Sequence, residues 1–143
     1  MAHQTVLTIE TRGPGLMEFT DRAARFVRDV ATDGPALLTC FVRHTSCSLL
    51  IQENADPDVR RDLGAFFARL VPPADDPAMT YLVHRLEGPD DMPAHIKAAL
   101  TQTSLTVPVN GGRMLLGTWQ GLYLWEHRTS PHRREVVLHL GDG

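Results

Sequence analysis

Seven histidines stand among 143 residues, about twice a background share of roughly 2%. Imidazole carries protons at neutral pH and is a common metal ligand, so the placing of these residues is the first clue to chemistry. His3 in the N-terminal tail, His132 beside Pro131 and His139 near the C-terminus read as solvated. His44, His84, His95 and His127 border apolar stretches instead. His44 lies in the polar run Arg43-His44-Thr45-Ser46-Cys47-Ser48, which interrupts an apolar segment. A buried strand accepts such a run only where partners satisfy it. His84 follows Tyr81-Leu82-Val83, and His95 falls in the first turn of a predicted helix. The helix N-terminus disfavours imidazolium there, and the neutral ring is the form that binds a metal. Asp90 and Asp91, just before it, offer ligands or acceptors behind a ligand. The spacing fits no compact motif such as HExxH. A metal site at His44, His84 and His95 and a set of ordinary hydrogen-bonded histidines both stay open.

Carboxylates and cations add candidates. Asp56 caps a helix, whereas capping does not account for Glu53 and Asn54. Glu53, Asp91 and Glu126 are therefore the candidate proton carriers. In Gly117-Thr118-Trp119-Gln120-Gly121 the loop amides can face an anion, or the loop is a plain strand connection. Arg128, Arg133 and Arg134 form a small basic cluster that suits phosphate or simply meets solvent. Glu126 and His127 point to opposite faces of a strand. The candidate substrate contacts are Thr45, Ser46, Thr118, Trp119, Gln120 and Arg128. Cys40 and Cys47 do not fit CxxC and, on one extended segment, are too far apart to bridge, so they read as free thiols. GxSxG, P-loop and GxGxxG motifs do not occur.

Composition narrows the classes. With 14 Lys and Arg against 17 Asp and Glu, the net charge is −3, and the sequence pI of about 6.1 argues against nucleic-acid binding through bulk charge. Hydrophobics at 43% and modest charge argue against disorder. No apolar run approaches the ~18 residues of a membrane span. The N-terminus lacks a basic region followed by an apolar one, so it is not read as a signal peptide. The expectation is one cytoplasmic domain over residues 1–143.

These side chains need elements to position them. Thr5 to Glu10 alternates as a strand. Leu16, Phe19, Ala23, Phe26, Val27 and Val30 recur at helical spacing after a Gly13-Pro14-Gly15 turn. Ala36 to Ile51 reads as one long strand or two with an irregular join. Asp56-Pro57-Asp58 opens a second helix, with Val59, Leu63, Phe66, Phe67 and Leu70 on its apolar side. Thr80 to Leu86 reads as a short strand, and Asp90 opens a third helix to about Leu100. Strands follow at Leu105 to Val109, Arg113 to Leu116, Leu122 to Arg128 and Glu135 to Leu140, expected as antiparallel neighbours joined by short turns. The sum is an α+β fold, six to eight mainly antiparallel strands with about three helices packed on the sheet.

Taken together, these segments resemble the YjbQ family. His44-Thr45-Ser46-Cys47-Ser48-Leu49 with Glu53-Asn54-Ala55-Asp56-Pro57 is similar to its "HTSASL…NEN-DP-V" signature. Glu87-Gly88-Pro89-Asp90-Asp91-Met92-Pro93-Ala94-His95-Ile96-Lys97 matches its "EG-DDMP-HIK" block. Gly117-Thr118-Trp119-Gln120-Gly121 with Glu126-His127-Arg128 matches its "GTWQGI…EHR" block. The likeness runs from about Leu7 to Leu140, with Cys47 in place of the usual Ala and Gln52 in place of a frequent Asn. It implies an α+β homotrimer with a histidine cluster that holds a metal, zinc by expectation, at His44, His84 and His95. It also implies an activity like that of a secondary thiamine-phosphate synthase, which joins a pyrimidine methyl diphosphate to a thiazole phosphate and releases pyrophosphate. A phosphorylated small molecule is then the substrate. The alternatives are a metal-dependent hydrolase using zinc-activated water and a non-catalytic trimeric binding module.

Overall fold

Among the described residues, eight strands and three α-helices form in the order β1 (His3–Glu10), β2 (Gly15–Glu18), α1 (Thr20–Asp29), β3 (Pro35–Val42), β4 (Cys47–Glu53), α2 (Pro57–Leu70), α3 (Asp91–Leu100), β5 (Ser104–Asn110), β6 (Arg113–Met114), β7 (Gln120–Glu126) and β8 (Arg133–Gly141). This is a computed structural model, and it describes residues 2–30 and 33–142. The α+β expectation holds, but the strands divide into two sheets. One has the order β1-β8-β3-β5-β6, the other β2-β7-β4, and every strand pair is antiparallel.

The division corrects several sequence readings. Leu16 does not begin the first helix: Gly15–Glu18 is a strand in register with β7, Gly15 opposite Glu126 and Glu18 opposite Tyr123. Helix α1 starts at Thr20, and Phe19, Ala23 and Val27 are buried as its periodicity predicts. The long apolar segment is two strands, β3 and β4, in different sheets, and the polar run with His44 is the crossing between them. The late strands are not all neighbours. Only β5 and β6 form a hairpin, across Gly111 and Gly112, both at positive φ, while β7 and β8 lie in different sheets. The predicted strand Thr80 to Leu86 does not form. This stretch has no strand partner, and Tyr81, Val83 and Leu86 are exposed. Arg85 ties it down as a loop by donating to the carbonyls of Leu82, Ala74 and Met79.

The core lies between the sheets. Leu38, Cys40 and Val42 of β3 and Val136, Leu138 and Leu140 of β8 face Leu49, Leu122 and Leu124 of the smaller sheet. Cys40 and Cys47 are both free and buried there, and burial pushes each thiol up to about 12. The outer side of β7 is covered as well, by Phe67 of α2 against Trp125 at 4.6 Å between ring centroids. Residues 121–127 are therefore buried on both faces of the strand. Among the described residues, no helix is long and apolar enough to cross a membrane.

Helix α2 starts as its sequence dictates. The Asp56 side chain accepts from the Asp58 N–H at 2.9 Å with Pro57 in the first turn, the arrangement that satisfies otherwise orphaned amides. Gly64 sits inside this helix without a positive φ, and a Cβ built there meets nothing within 4 Å. A mid-helix glycine costs about 1 kcal/mol relative to alanine. Gly64→Ala is accordingly expected to raise unfolding free energy by about 1 kcal/mol in urea titration. A loss of stability would show that the backbone needs the bare glycine for packing.

Candidate functional site

The first turn of α3 is where the candidate chemistry converges. Asp90 and Asp91 begin the helix, where its dipole favours negative charge, and His95 follows Asp91 by four residues on the same face. The loop before α3 delivers His84. His84 Nε2 lies 2.7 Å and His95 Nε2 3.3 Å from Asp91 Oδ2. The ligand atoms of His84, Asp91 and His95 all fall within 4.8 Å of one another, a set that can hold a metal ion. Two imidazoles and a carboxylate oxygen at zinc bond lengths of about 2.0–2.2 Å would stand roughly 3.3–3.5 Å apart, so the residues fit such an ion.

The protons strengthen this reading. His95 Nδ1 lies 2.8 Å from the carbonyl oxygen of Thr45. A carbonyl only accepts, so Nδ1 carries the donated proton. Nε2 then faces the Asp91 carboxylate at 3.3 Å, and either a second proton on the ring or a bound cation satisfies the pair. A metal-binding histidine commonly anchors its other N–H in this way.

Arg128 holds the carboxylates. It donates from Nε to Asp90 Oδ2 at 2.8 Å, from Nη1 to Asp91 Oδ1 at 2.9 Å and from Nη2 to the Glu87 carbonyl at 3.2 Å. Burial opposes ionisation of Asp90, but Arg128 and the Thr129 N–H outweigh it and bring the carboxyl down to about 2. For Asp91 burial is likewise outweighed, by His84, Glu87, His95 and Arg128, and its carboxyl lies below the ordinary value. Three carboxyl side chains, Glu87, Asp90 and Asp91, gather around one guanidinium, and this acidic excess favours a cation.

A second constellation supports the first. Glu126, fully buried at the end of β7, accepts from Thr11 Oγ1 at 2.7 Å, from Arg134 Nε at 2.8 Å, from the Arg128 N–H at 3.1 Å and from Arg134 Nη2. Arg134 Nη2 also reaches Ser46 Oγ at 3.0 Å. Burial raises the Glu126 carboxyl, and Arg134, Thr11 and Arg128 more than reverse that. Beside it, His127 is 3% exposed, with Nε2 2.9 Å from Ser48 Oγ. Burial, with the nearby Lys97 charge, pushes His127 down to about 4.

Several sequence-predicted site residues are placed elsewhere. His44 shares a shallow pocket with Thr45 and His95, but its Nε2 accepts the Glu135 N–H at 2.8 Å, so Asp91 takes the place in the cluster that the sequence reading gives to His44. Glu126 is a structural anchor, because both of its oxygens are engaged. The predicted arginine cluster separates: Arg134 is buried on Glu126, Arg128 sits on Asp90 and Asp91, and Arg133 meets Glu10 at the surface. Arg128 therefore positions Asp91 and is not a free phosphate cation. Ser46 is buried beneath Arg134. Glu53 accepts the Asp56 N–H at 2.9 Å, a capping role after all. Glu53 pairs with Gln120 at one end of the smaller sheet, and Cys47 with Glu126 at the other. At strand rise this sets Glu53, Thr118, Trp119 and Gln120 about 20 Å from the histidine cluster within one chain. The residue that sequence reasoning missed is Arg134 as a core cation. Its signal was available: it shares the inward register of Val136, Leu138 and Leu140.

Two outcomes follow. Glu126→Gln leaves Arg134 buried without a counter-charge and is expected to cost about 3–5 kcal/mol in denaturant titration; a cost below about 1 kcal/mol would remove the pair from its anchoring role. His127 has a folded value of about 4 against 6.5 in the open chain, so the unfolded state takes up the proton first. Its stabilisation is complete above pH 6.5 and is lost as pH falls toward 4, a change of about 3 kcal/mol. Stability measured across that range should lose this slope in His127→Gln, and an unchanged slope contradicts the assignment.

The whole chain has relatives. Residues 5–142 match the family described as UPF0047 protein YjbQ-like. A UPF0047 protein of Synechocystis sp. is 52% identical over 138 residues, 96% of this chain and 90% of that protein. The UPF0047 protein YjbQ of Escherichia coli O157:H7 is 39% identical over 98% of both chains. The crystal structure of a hypothetical protein from Aeropyrum pernix K1 superposes with a TM-score of 0.84 at 25% identity, over 99% of each chain. With its family signature spanning nearly every residue and its fold matching, the chain belongs to the YjbQ-like UPF0047 family.

Proposed function

We propose that this protein is a metal-dependent enzyme of the cytoplasm, acting on a phosphorylated small molecule in the manner of a secondary thiamine-phosphate synthase. The carrying observation is the convergence of His84, Asp91 and His95 with their ligand atoms within 4.8 Å of one another, and the His95 Nδ1–H committed to the Thr45 carbonyl. His84, Asp91 and His95 would hold the ion, zinc by the nitrogen and oxygen character of the donors. A divalent ion bound there would supply a Lewis acid for phosphate oxygens.

The other residues serve orientation. The Thr45 carbonyl fixes the plane of the His95 ring. Arg128 fixes Asp91 through Oδ1 and leaves Oδ2 to the histidines. The side of the cluster nearest His84 is open, since that side chain is 48% exposed, and substrate phosphate enters there. Homotrimer formation belongs to the same reading. Tyr81, Val83 and Leu86 flank the cluster at 71%, 93% and 100% exposure, more apolar surface than one loop normally leaves in water. A trimer also offers a route by which the 117–121 loop of another copy reaches the cluster, which it does not do within one chain.

Titration calorimetry with zinc should give one site per chain in the parent protein. Asp91→Asn and His95→Ala should each weaken binding by at least about tenfold to a hundredfold, and undiminished binding in both removes the cluster as the metal site. With the metal-loaded protein, pyrimidine methyl diphosphate and thiazole phosphate should yield coupled product and pyrophosphate; inorganic phosphate alone would assign a hydrolase instead. Val83→Asp should convert a trimer to a monomer in sedimentation equilibrium, and an unchanged mass contradicts its place at the interface.

A further inference from the structure

Helix α3 carries a second face. Asp91 and His95 meet the histidine cluster, whereas Asp90, Pro93 and Lys97 line a cavity of about 360 Å³ between α2, α3 and β7. Its walls are largely apolar, with Phe67, Val71 and Trp125 prominent. That size and lining suit a small organic ligand.

Three observations say what the cavity takes. The first is charge. The carboxylates in the lining are already matched, Asp90 by Arg128 and Glu126 by Arg134, while the half-buried Lys97 ammonium has no ion-pair or hydrogen-bond partner among the described residues. A partly desolvated cation without a counter-ion attracts an anion. One uncompensated positive charge beside two carboxylates favours a monoanion over a phosphate dianion.

The second is the buried imidazole. Ser48 occupies His127 Nε2, and the other ring nitrogen has no protein partner among the described residues. Among the described residues no fully buried side-chain nitrogen or oxygen is left unpaired, so this nitrogen is not fully buried, and His127 lines the cavity. The third is Gly64, which also lines the cavity. A Cβ at this position would meet nothing within 4 Å among the described residues. The glycine weakens the helix without serving any contact within the chain, and its effect is to keep the cavity open.

We propose that this cavity is a second binding site, for a small planar molecule bearing one carboxylate. Its ring lies against Trp125 and Phe67, and its carboxylate pairs with Lys97 and accepts from His127. The site is separate from the histidine cluster and does not depend on the metal reading.

The test uses benzoate as probe, with neutral benzamide as its isostere, on the full ¹⁵N-labelled chain. The two tryptophans report separately: Trp125 lines the cavity, and Trp119 is 61% exposed at the far end of its sheet. Benzoate should shift the Trp125 indole N–H saturably, with Kd at or below about 1 mM, and leave Trp119 in place. Benzamide should bind at least about tenfold more weakly, a difference of about 1.4 kcal/mol. Lys97→Met should lower benzoate affinity to the benzamide level. Gly64→Leu should abolish binding of both while the melting temperature is held or raised, and His95→Ala should bind benzoate like the parent. The proposal is overturned by the absence of a saturable Trp125 shift up to about 10 mM benzoate, by benzoate affinity unchanged in Lys97→Met, or by binding that persists in Gly64→Leu. Loss of an oligomer in Gly64→Leu, where the parent does not bind benzoate, would assign the cavity to a second copy of the chain.

Discussion

The buried ion pair of Glu126 and Arg134 is the constraint on which the site rests. Glu126 ends a strand of the three-stranded sheet, and Arg134 lies near the start of a strand in the five-stranded one. Their union joins the two sheets at one end. Burying two charges is costly unless geometry and further hydrogen bonds compensate, and here Thr11, Ser46 and the Arg128 N–H complete the set. A pair so dependent on its partners specifies one arrangement of the backbone that carries them. That backbone includes the turn after β7 and the Ser46 segment before β4.

From there the consequences run outward. With the Arg128 N–H held by Glu126, the Arg128 side chain spans to Asp90 and Asp91 at the head of α3. Ser46 is held by Arg134, and its neighbour Thr45 presents the carbonyl that orients His95. The two anchors of the histidine cluster, one on the carboxylate and one on the imidazole, thus lead back to the same buried pair. This places two of the candidate ligands on a helix whose head is held by Arg128, and the third on a loop that Arg85 ties down, the condition for a preorganised site.

Much of this was legible in the sequence, for identifiable reasons. Helix α2 was readable because Asp56-Pro57-Asp58 is a local signal and local signals do not depend on tertiary context. Asp90, Asp91 and His95 were readable as one turn because helical spacing alone puts them together. The false strand at Thr80 to Leu86 shows the opposite case: the short apolar run Tyr81-Leu82-Val83 mimics a strand, but a strand needs a partner, and partners are tertiary facts. His44 reads as a ligand because it stands in a polar run that interrupts an apolar segment, within a stretch that resembles the family signature. A single backbone N–H, that of Glu135, occupies its nitrogen instead, and no spacing rule reveals that. Arg134 reads with its charged neighbours in sequence, although its two-residue register with Val136, Leu138 and Leu140 points inward. The separation of Glu53 and Trp119 from the cluster followed only from strand register, which the sequence did not determine.

The central claim is that this architecture brings His84, Asp91 and His95 together around one cation. A crystal of the protein grown with zinc, measured on both sides of the zinc absorption edge, addresses it directly. The account predicts one anomalous peak per chain, bonded to Nε2 of His84, Nε2 of His95 and a carboxylate oxygen of Asp91, with Arg128 still on the other carboxylate oxygen. A peak centred on His44, or well-ordered His84, Asp91 and His95 with no anomalous density between them at saturating zinc, would contradict it.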